Sequence, residues 1–562
     1  MGNTSLADRL LGAGARHHAA ALLRRFMRAA RDAARVQERL LRRQLALNAD
    51  SDFGRAHGFA KIRTYDEFVQ SVPIQTYEDI RPYVDRVMAG EVNALLGRRQ
   101  RVLMFAMTSG STDKPKYVPV TRQVVNTTRR GWNVFGVKAL LDHPEAVMRS
   151  LLQTVSPADE RRTETGVPCG SISGLLGASQ KRLVRKYYAV PSCVAMVSDP
   201  EARYYTMMRF AVPKDVGFMV TASPATQLRL ARSAESHAAR LVRDVHDGTL
   251  SAPGEIPDAV TETLRRHLSP DPSTAARLDR SIRHFGALLP RHYWRLALLA
   301  NWTAGSMRLH LQDFPRYFGD APVRDIGLIA TEGRVSVCLR DGDPAGVLDV
   351  EGCFFEFVDA ASGRDDSGTV YRCHELTVGA EYRVLMTTAS GFYRYDIGDH
   401  VRVARYEGLA PVIEFLNRGA YSSSITGEKL TERQVVLAFD RACRGLGTSI
   451  TTFVIAPVWD EPPFYRLHVD QPARAVDSIA DEMDRALGEV NIEYASKRKS
   501  GRLGPIVVNV LAAGTLARHD ADRQHERGSA NEQFKHRYIY ANPGDDAVLT
   551  SRVPRKEAAA TA

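Results

Sequence analysis

No stretch of this 562-residue chain approaches 18 consecutive apolar residues, so no segment is expected to cross a bilayer as a helix. The first residues lack the apolar core of a secretory leader, and a cytoplasmic location is the expectation. Cysteine is scarce. The six present (Cys169, Cys193, Cys338, Cys353, Cys373 and Cys443) form no C-x-x-C pair and have no histidine at metal-ligand spacing. That pattern speaks against a zinc site or a disulfide framework and fits reduced thiols. Internal repeats are absent, which speaks against a solenoid. Acidic residues are too few to balance the basic ones, leaving a net charge of +11. The excess is uneven: nine arginines from Arg16 to Arg43 face only Asp32 and Glu38, giving +7 there. The same segment places Leu22, Phe26, Ala30, Ala33, Val36, Leu40 and Leu41 near helical spacing, predicting an amphipathic helix over about 16–47. Such a helix either lies on anionic lipid or nucleic acid, or docks on the body of the protein with a solvated arginine face. No aromatic residues alternate with the arginines, which counts against nucleic acid.

What is present is the composition of a globular enzyme, 44% apolar and 25% charged, in a chain too long for one hydrophobic core. The most informative stretch is Thr108-Ser109-Gly110-Ser111-Thr112-Asp113-Lys114-Pro115-Lys116. It follows an apolar run, Arg101–Met107, that reads as a buried strand. A strand opening into hydroxyl residues and glycine leaves backbone N–H groups and hydroxyls free to wrap an oligophosphate, with Lys114 and Lys116 matching its charge. The spacing differs from the common phosphate loop, G-x-x-x-x-G-K-[ST]. Taken alone, a polar surface turn accounts for the stretch equally well.

Elsewhere the periodicity predicts helices over 123–141, 226–247, 257–268 and 274–301, and strands at 101–107, 323–329, 353–358, 381–388 and 400–405. The pattern reads as an α/β body with a β-rich region near its end. A boundary is expected near Arg418, where the strand-like Pro411–Leu416 gives way to Gly419-Ala420-Tyr421-Ser422-Ser423-Ser424. Beyond it, helices near 431–444 and 475–490 and strands near 450–456 and 464–469 suffice for a small α+β lobe. The domains expected are 1–418 and 419–545, with a disordered tail over 546–562.

Four further sites fit phosphate chemistry, each with a plainer reading. Thr331-Glu332, after the strand-like Val323–Ile329, offers a hydroxyl to phosphate and a carboxylate to Mg²⁺, or is simply a turn. In Thr387–Asp399 (TTASGFYRYDIGD), Gly398 permits a tight bend and leaves Asp399 to accept from vicinal hydroxyls, or to act only as a turn residue. Arg418 and the Gly427-Glu428-Lys429-Leu430 turn flank a serine run that reads as a hinge, with Lys429 placed for a phosphate or for solvent. Gly528–Lys535 is a glycine-led loop whose lysine reaches a cleft or water.

In this combination and order, the motifs resemble those of the auxin-responsive-type acyl acid–amido synthetases, a branch of the adenylate-forming superfamily of acyl-CoA synthetases, adenylation domains and luciferases. The likeness spans about 37–537 and includes Phe53–Gly58 (FGRAHG) and Val72–Asp79 (VPIQTYED). It implies an α/β fold with a large multi-sheet N-terminal domain and a smaller, mobile α+β C-terminal lobe. It implies ATP and Mg²⁺ as cofactors. Ser109, Gly110, Ser111, Thr112 and Lys116 would then hold the phosphates, with Thr331 touching phosphate and Glu332 holding Mg²⁺. Asp399 would bind the ribose, Arg418 would back it, and Lys429 would meet the α-phosphate. Lys535 matches the lysine that serves adenylation. The chain departs from the family pattern at Asp113, at Leu328 in place of an aromatic, and at His536-Arg537, which lack a usual proline.

The activity implied is ATP-dependent adenylation of a carboxylic acid, then transfer of the acyl group to an amine, an amino acid being the class such families imply. Partners would be small-molecule acid and amine, with no nucleic acid. Two rivals stand beside it: a ligase forming thioesters with coenzyme A or a carrier-protein thiol, and a non-catalytic nucleotide- or acyl-binding protein.

Overall fold

The computed structural model describes residues 20–108, 116–180, 182–360, 369–418, 422–426, 428, 430–471, 476–526 and 536–550. Two compact units are present, with the chain passing from the larger to the smaller between Phe415 and Leu416.

Among the described residues, the larger unit holds three sheets of four or more strands and one two-stranded hairpin. In the first, β1 (Val102–Thr108) lies between β2 (Lys116–Thr121) and β5 (Pro168–Gly170), with β4 (Arg161–Arg162) outside β5. Met104, Phe105 and Ala106 are all buried, so β1 is covered on both faces, as its unbroken apolar run requires. The second sheet is parallel, in the order β3 (Ser150–Gln153), β6 (Val216–Val220), β7 (Leu298–Asn301) and β8 (Val323–Asp325). Next come the short strands β9 (Ile329–Ala330) and β10 (Gly333–Arg334), paired as a hairpin. The third sheet has seven strands in the order β11-β12-β17-β16-β15-β13-β14: Ser336–Val337, Ala345–Leu348, Ala410–Arg418, Tyr395–Glu407, Glu381–Thr387, Phe354–Asp359 and Val370–Arg372.

The basic N-terminal segment docks on this third sheet, matching the second of the two uses expected for it. It is broken rather than continuous, with α1 (20–31) and α2 (Ala33–Leu47) parted by a turn at Asp32. At the break, Leu409 N–H donates to the carbonyl of Ala30 at 3.1 Å, and a Cβ on Gly408 would lie 2.5 Å from Arg31 Cα. The tip of the β16–β17 hairpin therefore wedges against the helix there. Phe26, Ala30, Ala33, Leu41 and Leu45 are buried, while Arg24, Arg28, Arg31, Arg35 and Arg39 stay exposed. Gln37 fixes the register: its amide donates to the carbonyls of Val350 and Cys353, both at 2.7 Å, and accepts from Phe355 N–H at 2.7 Å. A buried amide so fully paired avoids the desolvation cost of an unpaired polar group.

Three sequence expectations need correction. The helix over 274–301 ends at Phe285, where Gly286 takes φ +77° as a left-handed cap. Its last residues, Leu298–Asn301, are instead the fully buried strand β7; an apolar run this short fits either element. The strand over 323–329 stops at Asp325, because Gly327 at φ +86° lies where a Cβ would meet the Ser336 carbonyl at 2.3 Å. The helix over 226–247 is two, Pro224–Ser236 and Ala238–Asp247.

The smaller unit is α+β. Strand β18 (Ser422–Ser423) pairs with β19 (Leu430–Thr431), and β20 (Phe453–Val458), β21 (Phe464–Val469) and β22 (Val507–Val510) form a sheet beneath helices Glu432–Gly445 and Val476–Val490. A capping box starts the first of these helices, with Thr431 and Gln434 exchanging side-chain and backbone hydrogen bonds. The tail expected to be loose from residue 546 is ordered as far as Thr550. Asp546 accepts from Arg466 Nη1 at 2.8 Å and sits 2.9 Å from His468 Nε2, and Leu549 is buried against Val454, Ala456, Leu511 and Leu516. These partners lie far off in sequence, so local composition gave no sign of them. Residues 551–562 fall outside the described residues.

Candidate active site

Lys116 opens β2 and pairs with Thr108, the last residue of β1. Ser109, Gly110, Ser111 and Thr112, between them, lie outside the described residues. The Lys116 ammonium lies 5.4 Å from the centre of the Tyr77 ring, within cation–π range. Tyr77 begins helix α5 (Tyr77–Met88), and its hydroxyl accepts from Tyr117 N–H at 2.7 Å and donates to the Tyr117 carbonyl at 3.2 Å. Burial pushes the Tyr77 phenol up to about 12, so it remains a neutral donor. The ring meets Phe392 edge-on at 6.4 Å, and Phe392 meets Tyr395 at 5.0 Å. Gln75 N–H donates to Arg394 O at 3.0 Å, and Asp396 N–H returns to Gln75 O at 2.9 Å. The segment 72–79 is thus laced between β2 and β16.

Strand β16 carries Asp399. Pairing runs from Arg383↔His400 to Leu385↔Asp396, so three residues of β15 oppose five of β16. The surplus is a bulge at Gly398, whose φ of +72° is a left-handed conformation that glycine adopts without strain. Asp396 Oδ1 accepts from Gly398 N–H at 2.8 Å and closes the bulge. Asp399, 2% exposed, shares its buried row with Tyr395, Ile397, Val401 and Val403. A carboxylate in such a row is a departure from strand patterning, and it is the turn chemistry read from Gly398-Asp399 that put it there.

Thr331 and Glu332 are the two-residue turn of the β9–β10 hairpin, with Ala330 pairing Gly333 and Ile329 pairing Arg334. A Cβ on Gly333 would stand 2.7 Å from Cys353 Sγ and 3.1 Å from Met386 Cε. Glycine therefore lets the turn lie directly on the sheet, at Met386, which pairs with Tyr395. Glu332 is 6% exposed and has no hydrogen-bond or ion-pair partner among the described residues. A turn carboxylate that no cation among the described residues engages suits a divalent cation, which would supply a counter-charge. No group of three or more metal-ligating side chains occurs among the described residues. Mg²⁺ typically takes one or two protein carboxylates and completes its shell with phosphate oxygens and water.

Lys116, the Thr331–Glu332 turn and Asp399 are in this way tied by continuous packing inside the larger unit. Arg418 is the last residue of β17 and belongs to the smaller unit. Lys429 and Lys535 lie outside the described residues. The residue between Gly427 and Lys429 is described, however. Burial works against the Glu428 carboxylate, but the Tyr465 hydroxyl and the N–H groups of Ile425 and Thr426, at 2.8 Å each, hold it below the ordinary carboxylate range. Asn491 also donates to its carbonyl at 2.9 Å. Glu428 thus knots together the described residues between β18 and β19.

Sequence reading missed the anchor behind Asp399. Arg394, buried and at φ +47°, gives Nε to Glu356 Oε1 at 3.0 Å and Nη1 to the Val72 carbonyl at 2.8 Å. The Tyr65 hydroxyl donates to the same Glu356 oxygen at 2.9 Å. A non-glycine residue held at positive φ marks a position that its surroundings over-determine. The only available signal was the charge within an aromatic run, GFYRYD, which reads as strand packing. Tyr393 beside it stacks on Phe53 at 5.6 Å and receives a hydrogen bond from Asn48 at 2.8 Å. The segments 53–58 and 72–79 therefore serve as the bed of β16. A cavity of about 560 Å³ lies beside this bed, walled by Tyr65, Val69, Pro73, Ile74 and Arg394; none of the predicted site residues among those described lines it.

Comparison with known proteins identifies the family. The chain is 23% identical over 554 residues to a jasmonoyl–L-amino acid synthetase of Oryza sativa subsp. japonica, covering 92% of this chain and 94% of that one. It is also 23% identical to an indole-3-acetic acid-amido synthetase of Arabidopsis thaliana, over 88% of this chain and 90% of the relative. The solved structure of the GH3.15 acyl acid amido synthetase superposes with a TM-score of 0.82 at 19% identity, covering 94% of this chain and 95% of that one. Models of the GH3 family N-terminal, central and C-terminal domains match residues 22–323, 346–418 and 433–544 in turn. The chain belongs to the GH3 family of acyl acid amido synthetases.

Proposed function

We propose that this protein joins a carboxylic acid to an amine, an amino acid being the fitting class, by way of an acyl-adenylate formed from ATP. The observation that carries the reading is the tying together, within one unit, of Lys116, the Thr331–Glu332 turn and Asp399. In the first half-reaction a carboxylate oxygen attacks the α-phosphorus of ATP, the bond to the bridging oxygen breaks, and pyrophosphate leaves. In the second, the amine nitrogen attacks the carbonyl carbon of the mixed anhydride, loses its proton, and AMP departs. The protein's part is alignment and charge neutralisation.

The residue roles follow from chemistry. Ser109, Gly110, Ser111, Thr112 and Lys116 cradle the phosphates, and Thr331 adds a hydroxyl. Asp399 accepts from the ribose hydroxyls, with Arg418 backing it. Lys429 and Lys535 neutralise charge that develops at the α-phosphate. Glu332 would hold Mg²⁺, which when bound screens the phosphate oxygens as a Lewis acid. The jasmonoyl and indole-3-acetic acid relatives, and a GH3.15 structure in complex with 2,4-DB, favour an apolar or ring-bearing acid. We place the activity in the cytoplasm.

The test is a panel of carboxylic acids scored for acid-dependent exchange of pyrophosphate into ATP, then a panel of amino acids with the best acid, scored for amide and AMP. Thiol consumption with every amine ignored would replace the reading by a thioester-forming ligase. ATP binding with no AMP release from any acid would leave a binding protein. In an active enzyme, Lys535→Ala is expected to slow exchange by at least about a hundredfold while retaining ATP binding.

A further inference from the structure

Arg334 follows Gly333 as the last residue of β10 and pairs with Ile329, at the base of the hairpin whose tip is Thr331–Glu332. It is 3% exposed. One nitrogen, Nη1, donates to two carbonyls, that of Ile326 at 2.8 Å and that of Ser336 at 3.1 Å. Ile326 precedes the hairpin and Ser336 follows it, so a single guanidinium joins the two segments between which the hairpin is strung. The backbone closes the same base. Val335 N–H and Ser336 N–H both donate to the Leu328 carbonyl, at 2.9 and 3.1 Å, and Leu328 N–H donates to Ser336 Oγ at 3.0 Å.

Helix Arg122–Asp142 meets the guanidinium from another side. Its Trp132 ring centre lies 4.6 Å from Arg334 Cζ, within cation–π range. Gly131 leaves the room for this approach: a Cβ there would lie 2.4 Å from Arg334 Cδ and 2.7 Å from its Nε. Glycine is a poor residue inside a helix, and here its missing Cβ is the space the arginine fills. The same point lies 3.4 Å from Oδ2 of Asp349, a buried carboxylate that Arg130 Nη2 engages at 2.6 Å. Burial lowers the Arg334 guanidinium to about 10, with the Asp349 carboxylate opposing the fall, so it is still a cation at neutral pH. An apolar side chain would fill this space without the desolvation cost of a charge. What the cation adds is a directional hold on both carbonyls. We infer that Arg334 is a positioning residue for the adenylation half-reaction, a brace at the base of the β9–β10 hairpin that sets where Thr331 and Glu332 meet phosphate and Mg²⁺. The inference rests on the roles proposed above for those two residues.

The experiment asks, on the full chain, whether Arg334 works through Glu332. Wild type, Arg334→Met, Glu332→Gln and the double variant are compared by calorimetric titration of ATP at a series of Mg²⁺ concentrations. Pyrophosphate exchange is measured over the same series, and hydrogen–deuterium exchange of residues 326–336 is followed without nucleotide. Arg334→Met is expected to raise the Mg²⁺ concentration for half-maximal ATP binding about tenfold, the size of one or two lost hydrogen bonds. Its kcat at saturating Mg²⁺ should fall by less than about threefold, and the amides of Val335 and Ser336 should exchange faster. In the Glu332→Gln background the same substitution should add nothing to the Mg²⁺ requirement, as for two residues acting as one unit. Tyr205→Phe, which removes a buried hydrogen bond to Asp244 elsewhere in the larger unit, controls for lost stability and should leave that requirement unchanged. An unmoved Mg²⁺ requirement in Arg334→Met, simple additivity with Glu332→Gln, or an equal rise in Tyr205→Phe would each overturn the inference. Should Glu332→Gln alone leave the requirement unmoved, the metal role of Glu332 fails and the positioning role with it, while faster amide exchange in Arg334→Met still reports the brace. If Arg334→Met does not fold, Gly131→Ala, which displaces the guanidinium but keeps its charge, carries the same cycle with the same expected outcomes.

Discussion

Asp399 and Arg394 show how one short run divides its labour. In the proposed role Asp399 accepts from the ribose; removing it as Asp399→Ala is then expected to weaken ATP binding by about 1–3 kcal/mol, because the ribose hydroxyls would lose their partner. Calorimetric titration with ATP and Mg²⁺ measures this, and an unchanged affinity would remove Asp399 from the ribose site. Arg394 touches none of the predicted site residues among those described and instead neutralises Glu356, a carboxylate that burial pushes upward. Arg394→Met leaves that carboxylate buried and unpaired, an expected loss of about 3–5 kcal/mol in unfolding free energy. The sign of its pH dependence follows from the same group. A carboxyl raised in the folded state binds a proton there more readily than when unfolded, so the variant should regain stability relative to wild type on acidification through the carboxylate range. Urea unfolding at pH 5 and pH 8 would check it; a deficit independent of pH would assign the loss to packing alone.

At the level of elements, two glycines make opposite predictions. A Cβ on Gly333 collides with Cys353 and Met386, so Gly333→Ala should lift the Thr331–Glu332 turn off the sheet. Nothing lies within 4 Å of a Cβ on Gly398, so Gly398→Ala carries only backbone strain, about 1–2 kcal/mol at its positive φ. Gly333→Ala should thus lower Mg²⁺-dependent ATP binding more than it lowers the unfolding midpoint, and Gly398→Ala the reverse. Paired denaturation and binding measurements separate them. Most elements were legible because their signals are local: the apolar run of β1, the helical pattern near 431–444, the glycine–aspartate bend of β16. The parallel strand Leu298–Asn301 was not, since four buried residues in a row carry no period of their own. The break at Asp32 was also hidden, because it is imposed by a hairpin tip nearly four hundred residues away.

Across the whole molecule, the parts that could not be read are those made by distant segments meeting. The ordered tail is one. Leu549→Ala should destabilise the smaller unit by about 2–5 kcal/mol, since it empties a site walled by Val454, Ala456, Leu511 and Leu516. Thermal unfolding would show a lowered transition, and no change would mean that the tail merely rests there. The predicted site divides along the same line. The motif residues stood out in the sequence, whereas Glu356 and Tyr65, which hold Arg394 in place, have no local signature. Tyr393 carries a practical lesson for anyone trimming this protein. Residues 44–59 supply Phe53, Phe59, Asn48 and the Gln44 carbonyl around that one ring. A truncation that discards the first sixty residues as a dispensable leader would open a hole behind β16, so an expression boundary belongs before α1.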